Sequence, residues 1–454
     1  MGIILHRKCL SIIDECEKKP TFASEEAKVR VMHSAPVHVA NLPSPFSKES
    51  PEQNYRGFLN LTVLLLFVSM ARLVLENFRK YGVLLSIPGR DLPITDILNG
   101  LKAISLLWIN ILVAFGLEKS LVHYPEFARK KVYYYIIIGN VSVLLLVPTW
   151  IVWTHMYHVV LGFFALFIAV ILCMKIVSYH LVNAELRSMI NQIDKLYPDC
   201  PYPTNLTLGN FLYFWIAPTL CYQPSYPRNA SICPKFLLKR LLELAACIAG
   251  IHILTEQFAL PTVQNSMEPM SKLDWIGIIE RLLKLSISSL YIWLIGFYAL
   301  FHSFLNAFAE VIRFGDRAFY KSWWNAKSID EYWRLWNAPV HQWFRRHVYI
   351  PLVVSGWSPK DAQLLIFTIS ALAHEFLVAV PTNIIQGWAF LGMLFQVPLI
   401  SLTTYYMRCR PNSSFGNFFF WITFCIVGQP MCVLLYYRAW VTKKYSSVLF
   451  LFDL

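Results

Sequence analysis

Apolar residues occur in long runs along most of the chain, and polar residues are concentrated in a few segments between these runs. A run of about 20 apolar residues is long enough to cross a bilayer as a helix. Nine such runs predict nine membrane-spanning helices and therefore an all-α polytopic membrane protein. Their approximate bounds are 57–75, 94–115, 132–153, 156–174, 241–260, 276–305, 364–380, 385–405 and 418–437.

Polar residues mark out the other parts of the chain. Residues 1–53 are polar, mixed in charge and interrupted by prolines, which predicts a flexible tail. Residues 54–454 form one membrane domain with polar segments at about 175–239 and 306–350. The tail is richer in basic residues than the loop after the first run. This bias predicts a cytosolic N-terminus and, with nine spans, cytosolic polar segments.

The composition limits the classes of function. The chain has 454 residues, of which 56% are hydrophobic and 15% charged, and a soluble domain is seldom so apolar. Its formal net charge of +13, without any Lys/Arg-rich block, favours contact with anionic lipid over binding of nucleic acid. The ten cysteines form no C-x-x-C pair and no cluster with histidine, so we expect neither a structural metal nor a disulfide framework.

The second polar segment is rich in aromatic and basic residues. Bulky rings recur from Phe319 to Phe344, which predicts an amphipathic helix at the membrane surface with its arginines in water. Asn337 and His341 are spaced four residues apart and share one helix face unless Pro339 breaks the helix. An amide and an imidazole on one face are suited to orienting a substrate or a catalytic partner.

The stretch Leu364–Val380 carries His374 and Glu375 near the middle of an apolar run. Titratable side chains at that depth are costly and usually serve a function or line a polar cavity. Histidine suits proton transfer because its ordinary pKa lies near neutrality. A core histidine that only pairs with a neighbouring helix fits the same pattern. Glu375 points to another face of the helix, which favours a structural role.

Three further polar side chains lie in apolar runs. Ser370 precedes His374 by four residues, so a helix places both on one face. Gln396 and Gln429 lie in the last two runs. Each glutamine is consistent with the wall of a polar chamber, and each is also consistent with a hydrogen bond between helices.

Three motifs carry a resemblance to a known family. FYKSWWN, WNAPVHQWFRRHVYIP and SALAHEFLVAVP are similar to the signature of the membrane-bound O-acyltransferases (MBOAT); they stand at Phe319–Asn325, Trp336–Pro351 and Ser370–Pro381. Within that family, NYRGFLN and VHQWFRRHVYIP favour the diacylglycerol O-acyltransferase type 1 branch. The resemblance covers about residues 54–437. Ser322 departs from it, because the family usually has an acidic residue at that place.

The resemblance implies an MBOAT fold of about nine helices around a reaction chamber inside the membrane. It implies that His374 is the catalytic residue, acting as a general base, and that Asn337 is its partner. The substrate-binding residues implied by the match are Ser370, Trp336, His341, Met393, Gln396 and Gln429. Acyl-CoA would be the acyl donor and diacylglycerol the acceptor, and neither a cofactor nor a metal ion is required.

The resemblance also implies an endoplasmic reticulum membrane protein that forms a homodimer or homotetramer partly through its tail. Acyltransferases that act on sterols, retinol or fatty alcohols are alternatives within the family. A proton-coupled transporter is the alternative from another class, although no repeated halves are visible. Glycosylation motifs begin at Asn205 and Asn229, and both are expected to lie in the cytosol without glycan.

Overall fold

The computed structural model describes residues 43–44, 47, 50, 56–76, 92–188, 197–410, 413 and 415–452, without the side chains of 69–76 and 444–452. In these residues the regular structure is helical, and the β-type pairing is an isolated antiparallel bridge between Arg228 and Phe314. The predicted all-α class of membrane protein is confirmed.

Long helices carry most of the described chain. They are Arg56–Glu76, Ile94–His123, Lys131–His155, Val159–Ser188, Pro234–Leu254, Trp275–Phe297, Pro359–Thr382, Gln396–Cys409 and Gln429–Phe452. The shorter α-helices are Leu208–Ile216, Leu260–Gln264, Met267–Ser271, Leu305–Val311, Ile329–Trp336, Ala338–Phe344, Ile350–Val354, Trp388–Leu394 and Phe415–Phe420. Turns of π-helix at Thr255–Ala259, Tyr298–Phe304, Arg345–Tyr349 and Trp421–Gly428 join several of them.

Seven helical stretches in the described residues are long and apolar enough to cross a membrane, by length and composition. They are Ile94–His123, Lys131–His155, Val159–Ser188, Trp275–Val311, Pro359–Thr382, Trp388–Cys409 and Phe415–Lys443. The predicted count of nine is therefore not confirmed. The first and fifth predicted spans overlap the helices Arg56–Glu76 and Pro234–Leu254, which do not belong to the seven.

A buried lysine explains why one helix runs past its apolar part. The fourth run was predicted to end before Lys175, but the helix continues to Ser188. Lys175 is buried, and its ammonium group donates to the carbonyl oxygens of Phe214, Trp215 and Ala217 at 3.0, 2.8 and 2.7 Å. These carbonyls lie at the C-terminal end of a helix, where a cation is favoured. The Lys175 side chain, which ends an apolar run in the sequence, is therefore part of the protein interior.

The aromatic side chains of the second polar segment form the centre of the protein rather than a surface helix. Phe319, Tyr320, Trp323, Trp324 and Tyr332 are each at most 2% exposed. We call the rings around Trp323 the aromatic core; they belong to Trp293, Phe297, Trp336, Tyr332 and Trp421, with centroids 5.0–5.9 Å from that of Trp323. The predicted amphipathic surface helix is wrong for these residues. Aromatic side chains bring large apolar areas and specific ring-to-ring contacts to a core.

A serine from the predicted tail lies inside the membrane domain. Ser44 is buried, and its hydroxyl oxygen lies 3.1 Å from the hydroxyl oxygen of Tyr320 and 3.3 Å from Nδ1 of His302. Tyr320 in turn hydrogen-bonds Nδ1 of His302 at 2.8 Å. Ser44 is therefore in contact with Tyr320, whose ring centroid lies 4.9 Å from that of Phe297 in the aromatic core.

Candidate active site

The helix Pro359–Thr382, here called the His374 helix, begins and ends with strong local signals. The hydroxyl of Ser358 accepts the backbone N–H of Asp361 at 3.2 Å, and Pro359 follows at the first helical position. The helix stops at Asn383, which has the left-handed backbone conformation (φ 57°) that is typical of a helix end. Apolar residues between these limits place His374 within the membrane-spanning part.

The hydrogen bonds of His374 fix which ring nitrogen carries the proton. Nδ1 of His374 lies 2.7 Å from the carbonyl oxygen of Ser370 and 3.5 Å from its hydroxyl oxygen. Because a carbonyl oxygen only accepts, Nδ1 is the protonated nitrogen of the neutral ring. The lone pair on Nε2 is then free to take a proton from a substrate, as a general base requires.

His374 is accessible even though protein surrounds it. His374 is exposed by its accessible surface, yet many protein atoms lie around its ring. Both properties together are those expected of a side chain that lines a space between helices. This is the environment in which a base can meet a substrate away from bulk water.

Glu375, the next residue, holds two other elements against the His374 helix. One carboxylate oxygen accepts the backbone N–H of Gly387 at 2.8 Å. The other accepts the backbone N–H of Phe390 at 3.2 Å and the hydroxyl of Tyr436 at 2.5 Å. Gly387 has φ +77°, a conformation that few other residues adopt, and it begins the helix Trp388–Leu394.

Sequence reasoning assigned no site role to Gly387 or Tyr436. The unusual glutamate in an apolar run was a signal that partners exist. Nothing in the sequence identified Tyr436 as one of them, because 61 positions separate it from Glu375. We call Ser370, His374 and Glu375, with the partners of Glu375, the His374 site.

Asn337 joins two short helices. It follows Ile329–Trp336 and caps Ala338–Phe344, where its side-chain oxygen accepts the backbone N–H of Val340 at 3.2 Å. Pro339 lies in the first turn of the second helix, so it starts that helix instead of breaking it. The cap uses the oxygen of the Asn337 amide, and the NH2 group takes no part in this bond.

His341 lies one turn after Asn337, and its backbone N–H donates to the carbonyl oxygen of Asn337 at 3.0 Å. The ring is half-buried. Burial, with Arg345 and Arg334 nearby, lowers the pKa of His341 from 6.5 to about 4. The imidazole is therefore neutral at neutral pH and can donate or accept a hydrogen bond.

The other predicted site residues lie on several elements. Nε2 of Gln396 donates weakly to the carbonyl oxygen of Gly392 at 3.3 Å, within its own helical stretch. Gln429 follows a π-helical turn, and its side-chain oxygen is buried without a hydrogen-bond partner in the described part of the chain. This oxygen is open to a hydrogen bond from a substrate or a water molecule. Trp336 stacks on Trp293 at 4.7 Å, inside the aromatic core.

Some of these residues are brought together and others are not. Ser370 and His374 are in contact, and Met393 packs with Phe367 and Ala371 of the His374 helix. That helix also contacts Ile329–Trp336, the helix before Asn337, through Trp333 and Phe367 at 6.1 Å. Among the described residues, no hydrogen bond joins the side chain of His374 to Asn337, Gln396 or Gln429. In the same part of the chain, no group of three or more His, Cys, Asp or Glu residues could hold a metal ion.

The described residues form a helical membrane domain that carries a histidine suited to general-base chemistry. Residues 124–437 match the MBOAT, membrane-bound O-acyltransferase family, and the chain belongs to this family.

Several curated relatives are similar over most of their length. The chain is 39% identical over 441 residues to diacylglycerol O-acyltransferase 1 of Corylus americana, covering 94% of this chain and 80% of the relative. It is 40% identical over 421 residues to diacylglycerol O-acyltransferase 1 of Arabidopsis thaliana, covering 91% and 79%. It is 36% identical over 407 residues to diacylglycerol O-acyltransferase 1 of Dictyostelium discoideum, covering 88% and 65%. The predicted family and branch are confirmed.

Proposed function

We propose that this protein is an acyl-CoA:diacylglycerol O-acyltransferase, which transfers a fatty acyl group to the free hydroxyl of diacylglycerol and makes triacylglycerol. The observation that carries the proposal is the hydrogen bonding of His374. Its Nδ1 donates to the carbonyl oxygen of Ser370, which leaves the lone pair of Nε2 available on an accessible ring. The relatives named diacylglycerol O-acyltransferase 1 support the donor and the acceptor.

In the proposed reaction, Nε2 of His374 takes the proton of the acceptor hydroxyl. The hydroxyl oxygen attacks the thioester carbon of acyl-CoA, so a C–O bond forms and, as the tetrahedral intermediate collapses, the C–S bond breaks. The CoA thiolate leaves and takes the proton from the His374 imidazolium, which restores the neutral ring. The hydrogen bond from Nδ1 to Ser370 holds the ring through both proton transfers.

The developing negative charge on the thioester oxygen needs hydrogen-bond donors. We assign this role to the NH2 group of Asn337, because its cap uses only the oxygen of the same amide. The unpaired oxygen of Gln429 would accept an N–H or O–H group of a substrate. Ser370, Trp336, His341, Met393 and Gln396 would line the path of the substrates.

The proposal extends to the setting of the enzyme. The seven apolar helices place the protein in a membrane, and we propose the endoplasmic reticulum membrane with a cytosolic N-terminus. Basic loop residues would meet the phosphates of CoA. We also propose a homodimer or homotetramer built partly through the N-terminal region, which rests on the family resemblance.

The test is an assay of the purified protein with labelled acyl-CoA and a panel of acceptors containing diacylglycerol, a sterol, retinol and a fatty alcohol. We expect triacylglycerol as the main product, and we expect His374→Ala to lower its rate at least about 100-fold. Ser303→Ala, at a serine that lies outside the proposed site, is the matched control. A preference for another acceptor would contradict the proposed use of diacylglycerol. Full activity of folded His374→Ala would refute the proposed base.

A further inference from the structure

A patch of basic side chains lies at the ends of two helices, apart from the residues proposed for catalysis. The two stretches that form it, residues 217–239 and 311–321, each join a loop to a helix end and together carry six basic residues and one acidic residue, Asp316, which is buried. The exposed charge of these stretches is therefore positive. We call Arg228, Lys235, Lys239 and Arg313, all four of them exposed, the basic patch.

Backbone pairing brings the two arginines of the basic patch together. Arg228 and Phe314 form the isolated antiparallel bridge. The backbone N–H of Asn229 donates to the carbonyl oxygen of Arg313 at 2.9 Å, and that of Gly315 donates to Pro227 at 2.9 Å. Two loops far apart in the sequence are thereby fixed side by side.

The guanidinium groups are also held in place. That of Arg228 lies 3.8 Å from the ring centroid of Tyr213, and one nitrogen of Arg313 donates to the carbonyl oxygen of Ala230 at 3.1 Å. The nearby Glu310 does not neutralise them, because it is buried and is paired with Arg317. Both arginines keep further N–H donors beyond these contacts, since a guanidinium has five.

Exposed apolar side chains lie next to the basic residues along the chain. Val311 ends the helical stretch Trp275–Val311, one of the seven that can cross a membrane. Ile232, Leu238 and Val311 are 44, 59 and 51% exposed. Basic residues next to exposed apolar ones at the end of a spanning helix match the headgroup layer, where apolar side chains meet acyl chains and arginines meet phosphates.

We propose that the basic patch binds the phosphate of an acidic phospholipid headgroup. Arg228 and Arg313 would supply charged hydrogen bonds to the phosphate oxygens, and Lys235 and Lys239 would add attraction. The exposed Ile232, Leu238 and Val311 favour a lipid over a soluble phosphate compound, which would gain nothing from an apolar rim. The site is separate from the proposed reaction at His374, so its test does not depend on that chemistry.

The experiment is native mass spectrometry of the full-length protein in detergent, titrated with phosphatidic acid and, as a neutral reference, phosphatidylcholine. We expect preferential retention of phosphatidic acid. Each basic residue near a headgroup contributes about 1 kcal/mol, so Arg228→Gln with Arg313→Gln should weaken retention roughly 25-fold. Lys130→Gln with Lys131→Gln removes the same charge at exposed positions outside the patch and should change it little.

A second variant keeps the test decisive if the loops need their arginines to fold. Lys235→Gln with Lys239→Gln alters only exposed side chains at the start of the helix Pro234–Leu254 and should also weaken retention. Unchanged retention in this variant and in the arginine pair would overturn the proposal. So would an equal loss in the Lys130/Lys131 control, or displacement of the lipid by free CoA or inorganic phosphate.

Discussion

The aromatic core and the His374 site are both enclosed by the membrane domain, but different interactions build them. In the aromatic core, ring centroids lie within 6 Å of that of Trp323, and the indole N–H groups of Trp323 and Trp421 have no hydrogen-bond partner among the described residues. In the His374 site, hydrogen bonds set the position of each polar side chain. Contact between rings stabilises the fold, whereas directional bonds orient the groups to which we assign the chemistry.

One substitution in the aromatic core and one in the His374 site should separate stability from activity most clearly. Trp323→Ala removes a fully buried indole and should cost about 3–5 kcal/mol of stability, because a large cavity is left behind. His374→Ala should leave the unfolding temperature nearly unchanged while activity is lost. Thermal unfolding in detergent and the rate per folded molecule measure the two effects. A Trp323→Ala protein that is stable but inactive would contradict the distinction.

Glu375 lies beside the proposed base, His374, and should affect both stability and activity. Glu375→Gln replaces a carboxylate that accepts three hydrogen bonds with an amide that has one acceptor oxygen, so we expect a loss of about 1.5–3 kcal/mol in stability and a lower kcat. Tyr436→Phe removes only one of the three bonds and is the graded control. Equal losses in the two variants would show that the hydroxyl bond alone is responsible.

Asn337 tests whether one side chain can both stabilise the fold, as a helix cap, and take part in the proposed reaction. Asn337→Ala removes the helix cap and should cost about 1 kcal/mol. Asn337→Asp keeps a capping oxygen but lacks the NH2 group, so its stability should be retained while its activity falls. Activity equal to that of the unchanged protein in Asn337→Asp would mean that Asn337 acts only as a cap.

His341 should give the smallest effect, a change in stability with pH. The folded protein holds the ring neutral down to about pH 4, whereas an unfolded chain takes up a proton below pH 6.5. The part of the free energy of unfolding that comes from the neutral His341 ring is complete above pH 6.5, and it declines as the pH falls towards 4. His341→Gln should make the unfolding temperature less dependent on pH in that window. An unchanged slope would show that other groups cause the dependence.

The sequence was most informative where one local pattern decides the outcome. Apolar runs predict the helical membrane class, and the four-residue spacing of Ser370 and His374 predicts that they share one helix face, where the structure shows them in contact. The glutamate beside His374 was recognised as unusual. These features depend on neighbours along a single helix, where the spacing of residues fixes which side chains meet.

The sequence was least informative where distant segments decide the outcome. Lys175 ended a predicted span because hydropathy counts a charge as exposed, but three carbonyl groups from another helix satisfy it. The aromatic residues near Trp323 were assigned to a surface because Arg residues lie among them. Of the two glycosylation motifs in the first polar segment, the one at Asn205 is buried and bonded to Asn183 and Tyr222, which leaves the motif at Asn229 to report the orientation of that segment.

Ser44 determines how far the N-terminal region can be truncated without altering the packing of the membrane domain. A deletion that ends after this residue removes a buried hydroxyl and opens a gap beside Tyr320 and His302. A deletion that ends before Pro43 leaves that contact in place. The shorter deletion therefore tests the proposed subunit association without a second effect. The longer deletion also changes the packing around Tyr320 and His302.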